Sequence, residues 1–285
     1  MQTYRIISDV HLESREEIPE SLWANEPSIN RGLILAGDIG DPFERIYETF
    51  LEECKKRYKD VLLIAGNREF YNCYKTEKAR EEVDSISRSK KYSSVYERTR
   101  YFTFEEVEKQ LSILCHRTGC IFLNRTNYKI GNNVFIGCPL WSSIPPNMKS
   151  TVIMHEYNPF KYIRVTSEPL TVDEYQQLHI RDVNWLESYI NITSDKNEKI
   201  VVVTHYPPTS DFRQPRVHED FLAKIFENNL SHLFNDKVIA WICGHSHHSV
   251  SLRKNNGLIL ASNPVGSVGH SDTQSNYDRN FSLYL

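Results

Sequence analysis

The stretch Val61-Leu62-Leu63-Ile64-Ala65-Gly66-Asn67-Arg68-Glu69 ("VLLIAGNRE") decides how the rest of the chain is read. An apolar run without a polar break reads as a strand buried on both faces, the pattern of a parallel sheet inside an α/β protein. Gly66 then permits a sharp turn. Asn67 and Arg68 follow at the carboxyl end of the strand, where open α/β sheets carry their ligands. Similar runs precede it, "YRIISD" and "GLILAGD". Between the second and third runs, Asp41-Pro42 reads as a helix N-cap followed by the first helical position. Phe43, Ile46, Tyr47, Phe50, Leu51 and Cys54 then recur on one helical face. Strand, helix, strand in that order predicts neighbouring parallel strands joined by a right-handed crossover.

Downstream, residues 72–119 change character. They are charged and helix-compatible, read as a helical cap-like insertion, and end in "TFEEVEKQLSILCHRTG", where Thr103 and Glu106 form a capping box. "CIFLNRT" and "YKIGNNVFIGCPLW" supply further strands, with a hairpin turn at Gly131-Asn132-Asn133. Residues 142–170 are rich in proline and read as a lid-like loop. Then come a helix ("TVDEYQQLHIRDVNWLESYI"), a buried strand ("KIVVVTH"), a helix over 218–234, a buried strand ("VIAWICGH") and two strands around a Lys254–Gly257 turn. "FSLYL" reads as an edge strand. The alternation makes residues 1–285 a single α/β domain.

Of the 285 residues, 40% are apolar and 25% charged, the balance of a soluble globular protein. A net charge of −3 argues against a strongly cationic binder of nucleic-acid duplexes. The six cysteines (Cys54, Cys73, Cys115, Cys120, Cys138, Cys243) contain no CxxC pair and read mostly as buried free thiols. No run approaches the ~18 apolar residues of a membrane helix, and Met1 leads straight into a strand. A cytoplasmic protein with no membrane partner is expected.

The polar residues that close the apolar runs carry the chemistry. The runs end in Asp9 and His11, in Asp38 and Asp41, in Asn67, in His205, and in His245 and His247. One Asp or His after a strand is commonly a turn residue or cap. Five strand ends that all carry such groups gather them at one sheet edge. Imidazoles, carboxylates and an amide carbonyl without a thiolate make a mixed N/O donor set, unlike a structural cysteine–zinc site. The set exceeds what one four-coordinate ion needs and suits two ions ~3.5–4 Å apart. Trp141 and Tyr206 adjoin strand ends, placed either to stack on a ring or to fill the core.

Asp9-x-His11, Gly37-Asp38-x-x-Asp41, Gly66-Asn67-x-Glu69, His205 and Gly244-His245-x-His247 resemble, in order and spacing, the calcineurin-like metallophosphoesterases. The resemblance runs from residue 4 to about 265. It implies a four-layer α/β/β/α sandwich of two mixed sheets with metals at the sheet edge. It implies one divalent ion on Asp9, His11, Asp38 and His247, and a second on Asn67, His205 and His245, with Asp38 bridging. The ions are Mn, Fe or Zn, with manganese preferred. The implied reaction is in-line attack on a phosphoester by a hydroxide that bridges the metals. "GDIGDPF" lacks the Arg-Gly of Ser/Thr protein phosphatases, whereas "FIGCPLWSSI", 158–163 and "HIRDVNWLES" are similar to a prokaryotic and phage-type branch of small metallophosphoesterases. A phosphodiester, with a nucleotide among the candidates, is the expected substrate. Glu69 reads as a structural partner for backbone amides.

The sequence departs from the pattern at Arg68, where the family usually has a His that protonates the leaving alkoxide and is oriented by the residue matching Asp41. An Arg cannot take over proton delivery but can offer a planar fork to Asp41 or to a phosphate oxygen. Losing a general acid costs roughly 10²–10⁴-fold. The expectation is therefore a metal-loaded phosphoesterase of weakened or redirected activity, with Asp41, Asn67 and Arg68 at its reacting centre. The alternatives are an impaired member that serves as a binding scaffold, and a single-strand nuclease.

Overall fold

The computed structural model describes residues 2–24, 28–71, 101–149, 158–166, 168–192, 198–213, 225–226, 228–266 and 276–285. Strands β1 (Thr3–Ile7), β2 (Ser28–Ala36), β3 (Tyr58–Ile64) and β4 (Ile121–Phe122) run parallel in one sheet. Helix α1 (Arg45–Arg57) joins β2 to β3, and helix α2 (Phe104–Thr118) precedes β4. The second sheet holds β5 (Thr126–Ile130), β6 (Asn133–Cys138), β7 (Lys199–Thr204), β8 (Val238–Ile242), β9 (Val250–Arg253) and β10 (Ile259–Ser262). Its order is β5-β6-β7-β8-β10-β9; the inner strands are parallel and both edge strands antiparallel. Strand β11 (Leu283–Tyr284) closes the first sheet beside β1, as "FSLYL" led one to expect.

The period-two alternation of β-strands explains why the central runs are apolar throughout. Tyr4, Ile6, Ile34, Ala36, Leu62 and Ile64 face Phe135, Val201, Val203, Ala240 and Ile242 between the sheets. The intervening Leu33, Leu35, Val61 and Leu63 face the other way, onto Tyr47, Phe50 and Leu51 of α1 and Val107, Leu111 and Leu114 of α2. On the far side Val134, Ile136, Ile200 and Val202 pack against Leu186 and Ile190 of a long helix, Val172–Ile192. The result is the four-layer α/β/β/α sandwich. Thr103 and Glu106 form the expected capping box on α2. The turns at Gly131 (φ 62°) and Gly257 (φ 88°) adopt the left-handed backbone that glycine favours.

Two expectations change. The helix after Asp41 starts at Arg45, because 41–44 form a separate turn: Phe43 N–H donates to Asp41 Oδ1 (2.9 Å) and Glu44 N–H to the Asp41 carbonyl (3.1 Å). In the helix expected over 218–234, residues 218–224 and 227 lie outside the described residues. The described remainder forms no α-helix: Ile225 and Ser231–Leu233 are 3₁₀, and the N–H groups of Asn228 and Leu230 bond back to the Pro207 and Pro208 carbonyls. In the lid-like loop, Ser142 and Ile144 are buried and a short helix α3 (Asn158–Tyr162) forms; 150–157 and 167 lie outside the described residues. Within the expected insertion, 72–100 likewise lie outside, as does Cys73, while the other cysteines are buried and free. Trp141 and Tyr206 are fully buried and belong to the core.

A buried ion pair fastens the second sheet to α4 (Val172–Ile192). Asp182, fully buried, accepts from Arg125 (3.1 Å) and from the Leu140 N–H (2.9 Å), and Arg125 also reaches Glu108 of α2 (2.6 Å). Leu140 follows Pro139, whose carbonyl accepts the N–H groups of His205 and Tyr206. The pair therefore steadies the backbone under His205. Arg125→Met should leave Asp182 without its principal cation and destabilise the chain by about 3–5 kcal/mol. A lowered urea midpoint at constant m-value is the expected record; a loss under about 1 kcal/mol would show that Arg125 is dispensable.

Candidate metal centre

The loops that follow β1, β2, β3, β7 and β8 meet at the carboxyl edges of both sheets. Backbone bonds stitch them together: Asp9 N–H to the Gly37 carbonyl (3.0 Å), His11 N–H to Asp38 (3.1 Å) and Gly244 N–H to His205 (3.1 Å). Gly37 (φ 83°) is needed for this approach, since a Cβ there would lie 2.6 Å from Gly66 N and 2.7 Å from His205 Nδ1. Five of the sequence-selected residues adopt left-handed backbone: Asp9 (φ 53°), His11 (54°), Asp38 (53°), His245 (66°) and His247 (50°). That conformation is costly for a residue with a Cβ and persists where the surroundings enforce it, most often at functional sites.

The side chains form two triads, Asp9–His11–His247 and Asp38–His205–His245, and within each the candidate ligand atoms all lie within 4.8 Å of one another. His205 Nδ1–H donates to the Ala36 carbonyl (2.9 Å), so its Nε2 points inward, 3.1 Å from Asn67 Oδ1 and 3.3 Å from Asp38 Oδ1. Asn67 is turned the right way because its Nδ2 donates to the Tyr71 hydroxyl (3.0 Å). His11 Nδ1 is taken by Glu13 (3.1 Å), and its Nε2 faces His247 Nε2 at 3.2 Å, itself 3.3 Å from Asp9 Oδ1. His245 Nε2 is buried without a hydrogen-bond partner. Lone pairs that converge in a buried space repel unless a cation lies between them, and imidazoles held by a carboxylate or carbonyl at Nδ1 are the usual form of metal-ligating His. The donor set thus fits two divalent ions.

The electrostatics agree. Burial alone would raise the Asp38 carboxyl, but the neighbouring His205 brings it well below the usual carboxylate range. Burial is likewise outweighed at Asp9, chiefly by His247. His205 is pushed up to about 9, because the Asp38 charge outweighs burial, and burial together with the His205 charge pushes His245 down to about 3. The carboxylates thus favour positive charge at the centre.

Glu69 stands just outside the cluster. Its oxygens accept from Gly66 N–H (2.8 Å), Asp38 N–H (3.0 Å), Ile39 N–H (2.7 Å) and the Tyr47 hydroxyl (3.3 Å), the amide-binding role read from the sequence. Arg68 donates its backbone N–H to Asp38 Oδ1 (2.7 Å), and its guanidinium lies over the Tyr71 ring, 5.3 Å from the centroid. Asp41 is buried in the turn before α1. Sequence reasoning missed Glu13 and Tyr71. Their only signals are a carboxylate two residues after His11 and a hydroxyl four residues after Asn67, neither distinctive before the fold brings them into register.

A family model described as calcineurin-like phosphoesterase matches residues 3–249. An uncharacterised protein of Acanthamoeba polyphaga mimivirus is 26% identical over 98% of this chain and 95% of its own length. Among solved structures, a phosphopantetheinyl hydrolase from Mycobacterium tuberculosis is similar in fold (TM-score 0.64, 13% identity, 93% of this chain and 89% of that one). A dimetal phosphatase from Danio rerio is more distant (TM-score 0.41, 14% identity, 92% and 86%).

Tyr71→Phe should free the Asn67 amide to turn and weaken Mn²⁺ binding to one of the two positions by about 10–100-fold, and Glu13→Gln should do the same at the other. Calorimetric titration with Mn²⁺ reads both. Unchanged affinity in Tyr71→Phe would remove Asn67 from the ligand set.

Proposed function

The chain belongs to the calcineurin-like phosphoesterase family, whose members are metal-dependent hydrolases of phosphoric esters, and on that footing we propose that it is a dinuclear-metal phosphodiesterase. The observation that carries this reading is the convergence of His11 Nε2, His247 Nε2, His205 Nε2, Asn67 Oδ1 and the Asp9 and Asp38 carboxylates on one buried space. In the proposal Asp9, His11 and His247 hold one ion, Asn67, His205 and His245 the other, and Asp38 serves both. The mixed N/O set without thiolate suits manganese.

The ions, when bound, supply a nucleophile from water at neutral pH and neutralise charge on the phosphoryl group. The protein supplies position. Glu69 holds the backbone that carries Asp38, and Arg68 N–H holds an Asp38 oxygen. The Arg68 guanidinium offers paired N–H donors to a phosphate oxygen. It delivers no proton, since its pKa lies above ~12, so an ester that leaves as an alkoxide turns over slowly.

Two other readings carry less. Arg68 at the usual acid position favours a binding scaffold, but the complete ligand set favours an enzyme. An adjoining hollow of about 390 Å³ is bordered by Glu13, Glu16, Asp41 and Glu44 together with Arg15, a net acidic wall that weighs against a nuclease.

Bis(4-nitrophenyl) phosphate, whose leaving group needs no proton, is the first test substrate, with added Mn²⁺ and metal content measured alongside. The expected result is about two ions per chain and turnover that Asp38→Asn and His205→Ala each reduce by at least ~10³-fold. A wild-type chain that holds both ions and hydrolyses nothing would support the scaffold.

A further inference from the structure

We infer that the chain carries a second ligand site, at the opposite edge of the first sheet, where Arg5, Arg31 and Arg57 take an oxyanion of the phosphate type beside Trp23 and Tyr58. None of these residues takes part in the metal centre.

Arg5 lies in the middle of β1, on the face that turns toward the helices, and only 6% of it is exposed. Its neighbours on that face, Ile7, Leu33 and Leu35, are apolar. An arginine is almost never buried to this degree without a partner, because its guanidinium cannot shed its charge. Yet the Arg5 Nε is buried without a hydrogen-bond partner, and no carboxylate among the described residues pairs with it. A cation buried without a counter-charge costs stability.

Two further arginines border the same place. The register between β2 and β3 shifts between Ser28 and Gly32, and Arg31 lies in that irregular stretch. Such bulges re-aim side chains. Arg57 ends α1, with its guanidinium over the Trp23 ring, 4.7 Å from the centroid, and its Nε buried without a hydrogen-bond partner. Its acid is Glu53 at 3.6 Å, which Lys56 engages more closely at 2.7 Å. The three charges meet at Tyr58: burial pushes its hydroxyl up, and Arg5, Arg57 and Arg31 each oppose that. Arg5 also reaches Tyr277, whose own hydroxyl is engaged by the Leu22 carbonyl (2.8 Å). Asp278, beside it, has an oxygen on the Asn280 N–H (2.8 Å).

A cation in the last turn of a helix suits the helix dipole, which accounts for Arg57. Nothing of that kind accounts for Arg5, or for three like charges that repel one another. An oxyanion accounts for both. It offsets the charge and gives the buried N–H groups an acceptor, and guanidinium groups contact phosphate oxygens in parallel pairs. Tyr58 opens β3, whereas the metal ligand Asn67 follows its far end. Seven residues of strand, about 20 Å, separate the two sites.

The test is calorimetric titration of the Mn²⁺-loaded full chain with inorganic phosphate and with phenylphosphonate, which has no ester bond to hydrolyse. Arg5→Met is expected to bind one phosphate fewer per chain than wild type, to keep its Mn²⁺ binding, and to melt no lower than wild type, because an apolar side chain of similar volume replaces an unpaired buried charge. Arg31→Ala and Arg57→Ala should each weaken the same phosphate by about 10–100-fold. Equal phosphate stoichiometry in wild type and Arg5→Met overturns the inference. So does unchanged affinity in both Arg31→Ala and Arg57→Ala, and these two variants decide the matter if Arg5→Met does not fold. Phenylphosphonate bound in an Arg5-dependent way marks the ligand as a phosphate group on a larger molecule, and phosphate bound alone marks it as the free ion. A wild-type chain that binds this phosphate but hydrolyses no ester overturns the hydrolase reading and leaves the second site standing.

Discussion

The Glu69 carboxylate is the constraint on which the centre depends. It accepts the N–H groups of Asp38, Ile39 and Gly66, and so ties the loop after β2 to the loop after β3 in a buried setting. Burial and the Asp38 charge push its carboxyl up to about 8, and the N–H donors oppose that by favouring the ionised form. Those donors belong to backbone that cannot bond within a strand, because the chain is turning. Without Glu69 they would be buried polar groups with no acceptor.

Once those loops are tied, the rest of the centre follows by contact. Asp38 takes Arg68 N–H, His205 reaches the Ala36 carbonyl, and Asp9 takes the His245 N–H (3.1 Å) across the gap between the sheets. Each link joins residues far apart in sequence. The cost of holding five non-glycine residues in left-handed backbone is spread over this network, and the apolar layer between the sheets keeps its ends from moving apart. The same arrangement explains why Arg68 does not disturb the fold. Its backbone N–H bonds Asp38, and its guanidinium rests on the Tyr71 ring.

The α/β alternation and the gathering of the candidate ligands at the sheet edges were legible because each rests on a local pattern. Unbroken apolar runs mark strands buried on both faces, and the residue after such a run lies at the sheet edge whichever strand it is. Asp9, Asp38, Asn67, His205 and His245 could be read that way, and Glu69 with them. The start of α1 was not legible, because Asp41-Pro42 suits a turn as well as a helix N-terminus and only the packing of Tyr47 and Phe50 selects between them. The stretch 228–234 has helical periodicity, but Asn228 and Leu230 find acceptors in the carbonyls of Pro207 and Pro208, and tertiary bonds override propensity.

The amino-acid sequence by itself determined the α/β alternation, the parallel order of β1 to β3, the residues that close each strand, and the guanidinium at residue 68. Those properties follow from period, burial and side-chain chemistry, which are local. Only the tertiary structure decided which nitrogen of His11 and His205 points inward, that Glu13 bonds His11 and Tyr71 bonds Asn67, and that the Arg68 cation rests on the Tyr71 ring beside Asp38. Those depend on distances between chain segments that no spacing in the sequence encodes.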